Sequence, residues 1–427
     1  MIVNQKIPNL RFPEFEGEWE MKKLGEVMNF KVTNSFSREN LNYEKGVVKN
    51  IHYGDIHTKF QTLFDITKES VPFVNEEISI GRISEENYCK EGDIIFADAS
   101  EDINDVGKSI EIKNLNGERL LSGLHTLLGR PMDSKFIIGF NGYLFKSNNI
   151  RLQIQKESQG SKVLSINVGR ILGINLSFPS LPEQTKIASF LTAVDDKLQA
   201  LKQKLTLLEQ YKKGVMQKIF AQELRFKPSP IEALEMGDEY PDWVEKKLGE
   251  VMSIRNEQAT KSYDYPLMAF IQNIGVAPKG ERYNREFLVN DGENKKYKKT
   301  EYGDFIYSSN NLETGSIGLN RYGPACISPV YSIFKVKKSF DFEFISTYLV
   351  RKNFTKKMIK FRQGVVYGQW KIHESEFLKI KEFIPSLNEQ QKIASFLSAI
   401  DEKIEKTTQQ LTQTETFKKG LLQQLFV

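Results

Sequence analysis

Along two stretches of this chain, apolar residues recur with gaps that mostly alternate four and three. After Pro182 they fall at Ile187, Leu191, Val194, Leu198, Leu201, Leu205, Leu208, Tyr211, Val215 and Ile219. Toward the C-terminus the spacing returns at Ile393, Leu397, Ile400, Ile404, Leu411, Phe417, Leu421 and Leu425. Such gaps make the seam of a coiled coil, narrower than the stripe of a helix lying on a core. Thr407 and Thr414 fill two seam positions of the second stretch, which predicts a weaker seam there. Pro182 stands near the first helix start, where a missing N–H costs little. Asn388, a good N-cap type, takes that place in the second. About forty residues at ~1.5 Å each give a rod of roughly 60 Å, longer than a small domain is wide. Each seam therefore needs a partner helix, and the other seam is at hand. Short connections favour an intramolecular, antiparallel pair over a homodimer.

Outside the two stretches the periodicity shortens. Strand-like runs such as "DIIFA", "LMAFIQNI" and "YSIFKVKK" alternate with Gly, Asn and Asp punctuation, and Asp341 to Ile359 reads as helical. The pattern predicts two α/β globules, one before each long helix, with a strand order that it does not fix.

The globules are related, because the chain repeats itself. "PSLPEQTKIASFLTAVDDKLQALKQKL" from Pro179 returns as "PSLNEQQKIASFLSAIDEKIEKTTQQL" from Pro385, and "EGEWEMKKLGEV" from Glu16 as "YPDWVEKKLGEV" from Tyr240. Smaller echoes keep the same order: "LRF" at Leu10 and Leu224, "EGDIIFADAS" at Glu91 and "YGDFIYSSNN" at Tyr302, "QGSKV" at Gln159 and "QGVVY" at Gln363. An internal duplication follows, with a variable head and a nearly constant helix in each copy. The expected division is a first globule over 1–180, a central helix over 181–223, a second globule over 224–386 and a C-terminal helix over 387–427. A helix that returns along its copy makes this a dumbbell with an approximate two-fold axis.

Composition narrows the function classes. At 427 residues, 40% hydrophobic and 11% aromatic, the chain suits two or more folded domains. Two cysteines, Cys89 and Cys326, make neither a disulfide framework nor a cysteine zinc site. The opening "MIVNQKIPNLRFPEF" lacks the apolar stretch of a secretory leader, and no run approaches membrane-span length. A cytoplasmic location is expected, with no membrane partner. The net charge of +5 is only mildly basic, so the distribution of charge matters more than its sum.

Catalytic signatures are scarce. "DVGKS" at Asp105 resembles the end of a phosphate loop, but Asp102 stands where the upstream glycine belongs. No G-x-G occurs, which argues against a glycine-rich nucleotide or S-adenosylmethionine site. "DDK" at Asp195 and "DEK" at Asp401 read as charged faces of the long helices. The histidines of "HYGDIH" are spaced unlike a zinc site, and no cysteine stands nearby. The expectation is a chain without catalytic or metal-binding residues.

Positive charge gathers in "RKNFTKKMIKFRQGVVYGQWK", Arg351 to Lys371, with seven Lys or Arg, no acid and four aromatic residues. The matching stretch of the first half carries five basic residues and one acid. Lys and Arg neutralise phosphates, while Asn, Gln, Ser and Arg read base edges. Two related globules on a rod suit two half-sites at a fixed separation. The candidate DNA-binding residues are Lys108, Ser161 and Lys162 in the first globule. In the second they are Asn310, Asn311, Arg362, Gln363, Tyr367, Gln369 and Lys371.

The whole chain resembles the DNA-specificity subunit of type I restriction–modification systems. The resemblance is carried by "LRFPEFEGEWEMKKLGEV", by "FPSLPEQTKIASFLTAVDDK" with "IPSLNEQQKIASFLSAIDEK", and by "YKKGVMQKIF" with "FKKGLLQQLF". It implies two target-recognition domains that each read half of a split double-stranded DNA site, and a helix pair that sets the gap. It also implies two copies of a DNA methylation subunit and, joined to them, restriction subunits with translocase and nuclease activity. No cofactor is expected on this chain; S-adenosylmethionine, ATP and Mg2+ belong to the partner subunits, which methylate adenine at N6. Pro179, Leu181, Glu183, Gln184 and Ile187, with Pro385, Leu387, Glu389, Gln390 and Ile393, match the family's conserved helix starts, and the resemblance gives them helix docking and subunit contact. The alternative is a coiled-coil scaffold that gathers two copies of a protein partner without reading DNA.

Overall fold

The computed structural model describes residues 7–132, 134–272, 274–278, 295–310, 312, 316–366 and 369–427, leaving aside the side chains of 236, 363–366 and 369–371. Two helices dominate, Leu181–Phe220 and Leu387–Gln424. The chain divides into two compact units, one of Met1–Lys204 with Thr407–Val427 and one of Leu205–Lys406. Each unit thus takes a globule, part of one long helix and part of the other.

Within each unit the helix segments run antiparallel. In the first, Asp195 meets Lys418 while Lys202, further along, meets Glu415, earlier in the chain. Leu191, Val194 and Leu198 share a core there with Leu421 and Leu425. In the second unit Lys212 meets Asp401 at 2.5 Å, and Ile219 packs in the core that holds Ile393 and Leu397. Thr407 and Thr414 are buried in the seam as the spacing predicts. Tyr211 and Phe417 are not: each is 53% exposed. The seam opens at these two aromatic positions, so heptad spacing overstates its burial. Asn388 is not the N-cap either. The helix already begins at Leu387, and Ser386 Oγ accepts from the Glu389 N–H at 3.4 Å.

The globules share a frame of four strands. In the first unit Met28–Lys31, Thr126–Pro131, Ile94–Ala97 and Ser109–Asn114 lie side by side, all antiparallel, with Leu63–Asp65 added parallel at the edge. The second repeats the order with Met252–Ile254, Ser332–Val336, Asp304–Tyr307 and Ile317–Leu319. Ile94–Ala97 and Asp304–Tyr307 are buried throughout, as expected of continuous apolar runs in a sheet covered on both faces. A glycine at positive φ precedes each, Gly92 at 89° and Gly303 at 83°, and the next residue, Asp93 or Asp304, accepts the N–H of Lys90 or Glu301 at 2.7 Å.

A smaller sheet accompanies each frame. In the first unit it has four strands, Arg119–Ser122, Val48–Ile51, Phe73–Val74 and Leu41–Asn42; in the second, three described strands, Gln258–Ala259, Tyr297–Thr300 and Ala325–Ile327. Asp341 to Ile359 is two helices rather than one, Phe342–Leu349 and Lys352–Ile359, broken at Val350 and Arg351.

Candidate nucleic-acid interface

Three segments converge on one edge of the first globule. Ala99–Ser100 pairs with Leu164–Ser165; the Asp98 N–H donates to His125 O at 3.0 Å, and the Ile166 N–H to Asp98 O at 2.9 Å. The loop carrying Ser161 and Lys162, both exposed, is closed by mutual hydrogen bonds between Gln159 and Ser165. Gly160 holds φ 132°, where a Cβ would lie 1.9 Å from Val163 O, so only glycine allows this turn. Lys108 sits close by with its ammonium engaged, donating to His57 O at 2.9 Å and lying 3.4 Å from Asp105.

The second globule builds its edge from equivalent segments. Arg362 Nε donates to Ser309 O at 3.1 Å, the Ile372 N–H donates to Ser309 Oγ at 3.0 Å, and Tyr307 Oη donates to Ile372 O. Asn310 follows directly and is half-buried. Gln363–Val366 and Gln369–Lys371 form a hairpin that sets Gln363 opposite Lys371. Asn311 and Tyr367 lie outside the described residues, as do the side chains of Gln363, Gln369 and Lys371.

The basic run does not act as one face. Arg351 stacks on Tyr348 and lies 3.5 Å from Glu382, and Lys357 pairs with Glu382 at 2.8 Å. Lys352 and Lys356 line a cleft of about 1040 Å³ whose other wall includes Asp401, Glu402 and Glu405 of the second long helix. Of this run, the structure places Arg362 and the hairpin after it at the loop edge.

The helix starts are gripped by the same arginine fork in the two units. Arg11 donates from Nε and Nη2 to the two oxygens of Glu183, at 2.8 and 2.7 Å; Arg225 does the same to Glu389, at 3.2 and 2.9 Å. These arginines are the middle residues of the repeated "LRF", and the phenylalanines beside them meet Phe190 and Phe396 edge-on, at 5.7 and 5.3 Å. Gln184 and Gln390 donate to the carbonyls of Pro179 and Pro385 and accept the N–H of Ile137 and Asp341. Ile187 and Ile393 are core residues, and Leu181 is exposed. Glu183, Gln184, Glu389 and Gln390 are thus spent inside their own units. The arginines were missed from sequence, although the echo containing them was visible.

Electrostatics mark two further places. Asp93 pairs with Arg130 and Asp304 with Arg255, each at 2.6 Å; Arg130 lies in Thr126–Pro131 and Arg255 just after Met252–Ile254, so the buried carboxylate is kept while its partner moves. In the first unit burial pushes Glu111 up to about 7, although it accepts the Gly139 and Gly142 N–H groups at 2.7 Å. Burial, aided by the nearby Lys418 charge, pulls Lys146 down to about 7; its ammonium nitrogen reaches Thr62 Oγ1 at 2.7 Å. Among the described residues no group of His, Cys, Asp and Glu is placed to hold a metal, and no helix is long and apolar enough to cross a membrane.

Comparison with known proteins agrees with this duplicated architecture. The family model described as "Type I restriction modification DNA specificity domain" matches twice, over residues 16–210 and 240–415. The chain belongs to this family, with two copies of the domain, and is a specificity subunit of a type I restriction–modification system. Among its relatives is the candidate type I restriction enzyme MjaX specificity subunit of Methanocaldococcus jannaschii, 26% identical over 96% of this chain and 93% of that one. The MjaVIII specificity subunit of the same organism is 27% identical over 66% of this chain and 68% of its own length. The crystal structure of the type I restriction–modification S subunit from M. genitalium shares the fold, with a TM-score of 0.59 at 15% identity over 99% of both chains. A chain from a structural study of complex assembly in the type I system gives 0.52 at 15% identity, over 95% of this chain and 96% of that one.

Proposed function

We propose that each globule reads one half of a split double-stranded DNA target with its loop edge, and that the two long helices fix the gap between the halves. The observation that carries this reading is the repetition of one frame and one grip around two edges of unlike chemistry. Lys108, Ser161 and Lys162 would read at the first edge, and Asn310, Arg362, Gln363, Gln369 and Lys371 at the second, with Asn311 and Tyr367 added from their place in the sequence alone. Duplicated helix surfaces suit two copies of one partner, a DNA methylation subunit, because equivalent surfaces can bind identical chains. Restriction subunits with translocase and nuclease activity join that core. S-adenosylmethionine, ATP and Mg2+ reside on these partners, whose methylation of adenine at N6 requires extruding the base.

Transfer of residues 1–178 into a relative with a different target tests the reading. One half of the target should change and the other stay; a change in both halves, or in neither, defeats it. Insertion of four residues at Thr206 breaks the heptad phase and should alter the tolerated gap or abolish binding. A scaffold that gathers protein partners without reading DNA would instead give binding flat across salt and blind to sequence.

A further inference from the structure

The two units present one exposed side chain each at matching positions just ahead of the same frame strand, Thr126–Pro131 or Ser332–Val336, and the two side chains differ in chemistry. Gly129 lies opposite Ile94 in the first unit, and Phe334 opposite Phe305 in the second. Ile94 and Phe305 both follow the aspartate that closes the glycine turn. The strands therefore match with Gly129 on Phe334, and the residue just before the first strand, His125, matches Val330. The His125 side chain is 51% exposed and Val330 is 62% exposed. His125 adjoins the loop edge described above, its carbonyl accepting the Asp98 N–H, and Val330 takes the equivalent place by register.

The first unit holds this residue in a costly way. His125 has φ 54°, in the left-handed region that strains a non-glycine residue. Hydrogen bonds over-determine the loop beneath it. Ser122 Oγ lies 2.7 Å from Thr126 Oγ1, which donates to Gly123 O; Thr33 Oγ1 donates to Thr126 O, and the Gly123 N–H to Ile51 O. A Cβ at Gly123 would lie 2.3 Å from Asn50 Nδ2, so the loop packs down on the buried Asn50 with no room for a side chain. The ring is positioned as well. Its Nδ1 lies 3.3 Å from Asp98 Oδ1, and Tyr53 stands edge-on with ring centres 5.3 Å apart. In the tautomer that donates from Nδ1 to the Asp98 carboxylate, Nε2 is the accepting nitrogen. Strain maintained by the surrounding structure points to what the residue touches rather than to folding.

We propose that this register position reads a base in both units: His125 by a hydrogen bond from a base amino group to Nε2, Val330 by contact with a thymine methyl. The inference rests on the DNA-reading function proposed above. Cytosine N4 and adenine N6 are the amino groups exposed in the major groove, and thymine alone offers a methyl there. One fold would thus read two unlike half-sites by changing one side chain ahead of an equivalent strand.

The test uses the full chain assembled with its methylation subunits and a library of randomised DNA duplexes, from which bound sequences are recovered and counted. His125→Gly and His125→Asn both tolerate the left-handed backbone, and Val330→His sits at an exposed site. The histidine variants should lose about tenfold discrimination at one base pair of one half-site, with the other half unchanged. Val330→His should alter one base pair of the opposite half only. If the wild-type assembly enriches a split motif that all three variants preserve, the base-reading assignment fails and the DNA-reading function stands. A uniform loss of affinity with the motif intact also overturns it, because that marks a backbone contact. A wild-type assembly that enriches no motif overturns both proposals together.

Discussion

Arg11 and Glu183, far apart in sequence, are joined by two parallel hydrogen bonds, and the carboxylate they share is almost wholly buried. Arg225 and Glu389 repeat the fork in the second unit. Each pair fastens the segment before a globule to the first turn of the long helix after it. The side-chain hydrogen bond to Glu183 raises the Arg11 pKa, as that to Glu389 raises the Arg225 pKa, so both arginines stay charged. The two carboxylates differ in their other donors: Trp243 Nε1 reaches Glu389 Oε2 at 3.2 Å, whereas the matching Trp19 Nε1 is buried without a hydrogen-bond partner.

Loss of one partner leaves a buried carboxylate exposed to the full desolvation cost, about 3–5 kcal/mol. Arg11→Ala should therefore lower the melting temperature more than Arg225→Ala, because Glu389 keeps the indole donor and Glu183 does not. Calorimetry of both variants and of Glu183→Gln checks this; equal losses for the two arginines would contradict it.

Glu111 and Lys146 make the stability of the first unit depend on pH in opposite directions. Glu111 is raised to about 7 from 4.5, so the folded state holds the extra proton and stability falls as pH rises from about 4.5 to 7. Lys146 is lowered to about 7 from 10.5, so the unfolded state holds the extra proton and stability rises from about 7 to 10.5. A minimum near pH 7 is expected from the pair, a few kcal/mol deep at most, on the order of 1.4 kcal/mol per pKa unit. Glu111→Gln should flatten the acid limb and Lys146→Met the alkaline limb in urea titrations across pH.

Thr414 carries a hydroxyl into the seam and satisfies it on the Gln410 carbonyl of its own helix, at 2.7 Å. Such back-bonding adds little to a helix, while an apolar group of the same shape gains burial. Thr414→Val should raise stability by about 1 kcal/mol without changing the helix content seen by circular dichroism.

Gly160 closes the loop that carries Ser161 and Lys162. Gly160→Ala forces a clash with the Val163 carbonyl and should reopen the turn. DNA affinity is expected to fall, with discrimination lost only in the half-site read by the first unit, while the melting temperature moves little. Binding to duplexes altered in one half at a time separates these effects.

The duplication, the two globules and the long helices were legible in the sequence because each leaves a periodic or repeated signature. Heptad gaps follow from helix geometry, and "LRF", "KKLGEV" and "PSLxEQxKIASFL" survive where both copies need the same packing. The charge pairs of "DDK" and "DEK" were read as helix faces, and the structure joins them to Lys418 and Lys212 across the helices. Tyr211 and Phe417 show the limit of the pattern: spacing places them in the seam, but burial depends on how closely the helices approach at that level.

Sequence by itself therefore determined that one unit is written twice and that two amphipathic helices seek each other, since local periodicity reports on backbone geometry. Tertiary structure alone decided which residues share an edge. His125, Asp98 and Tyr53 meet through strand register and loop hydrogen bonds, and Lys352 and Lys356 turn toward the acidic helix instead of the loop edge. Such meetings depend on long-range pairing, to which no single stretch of chain carries the key.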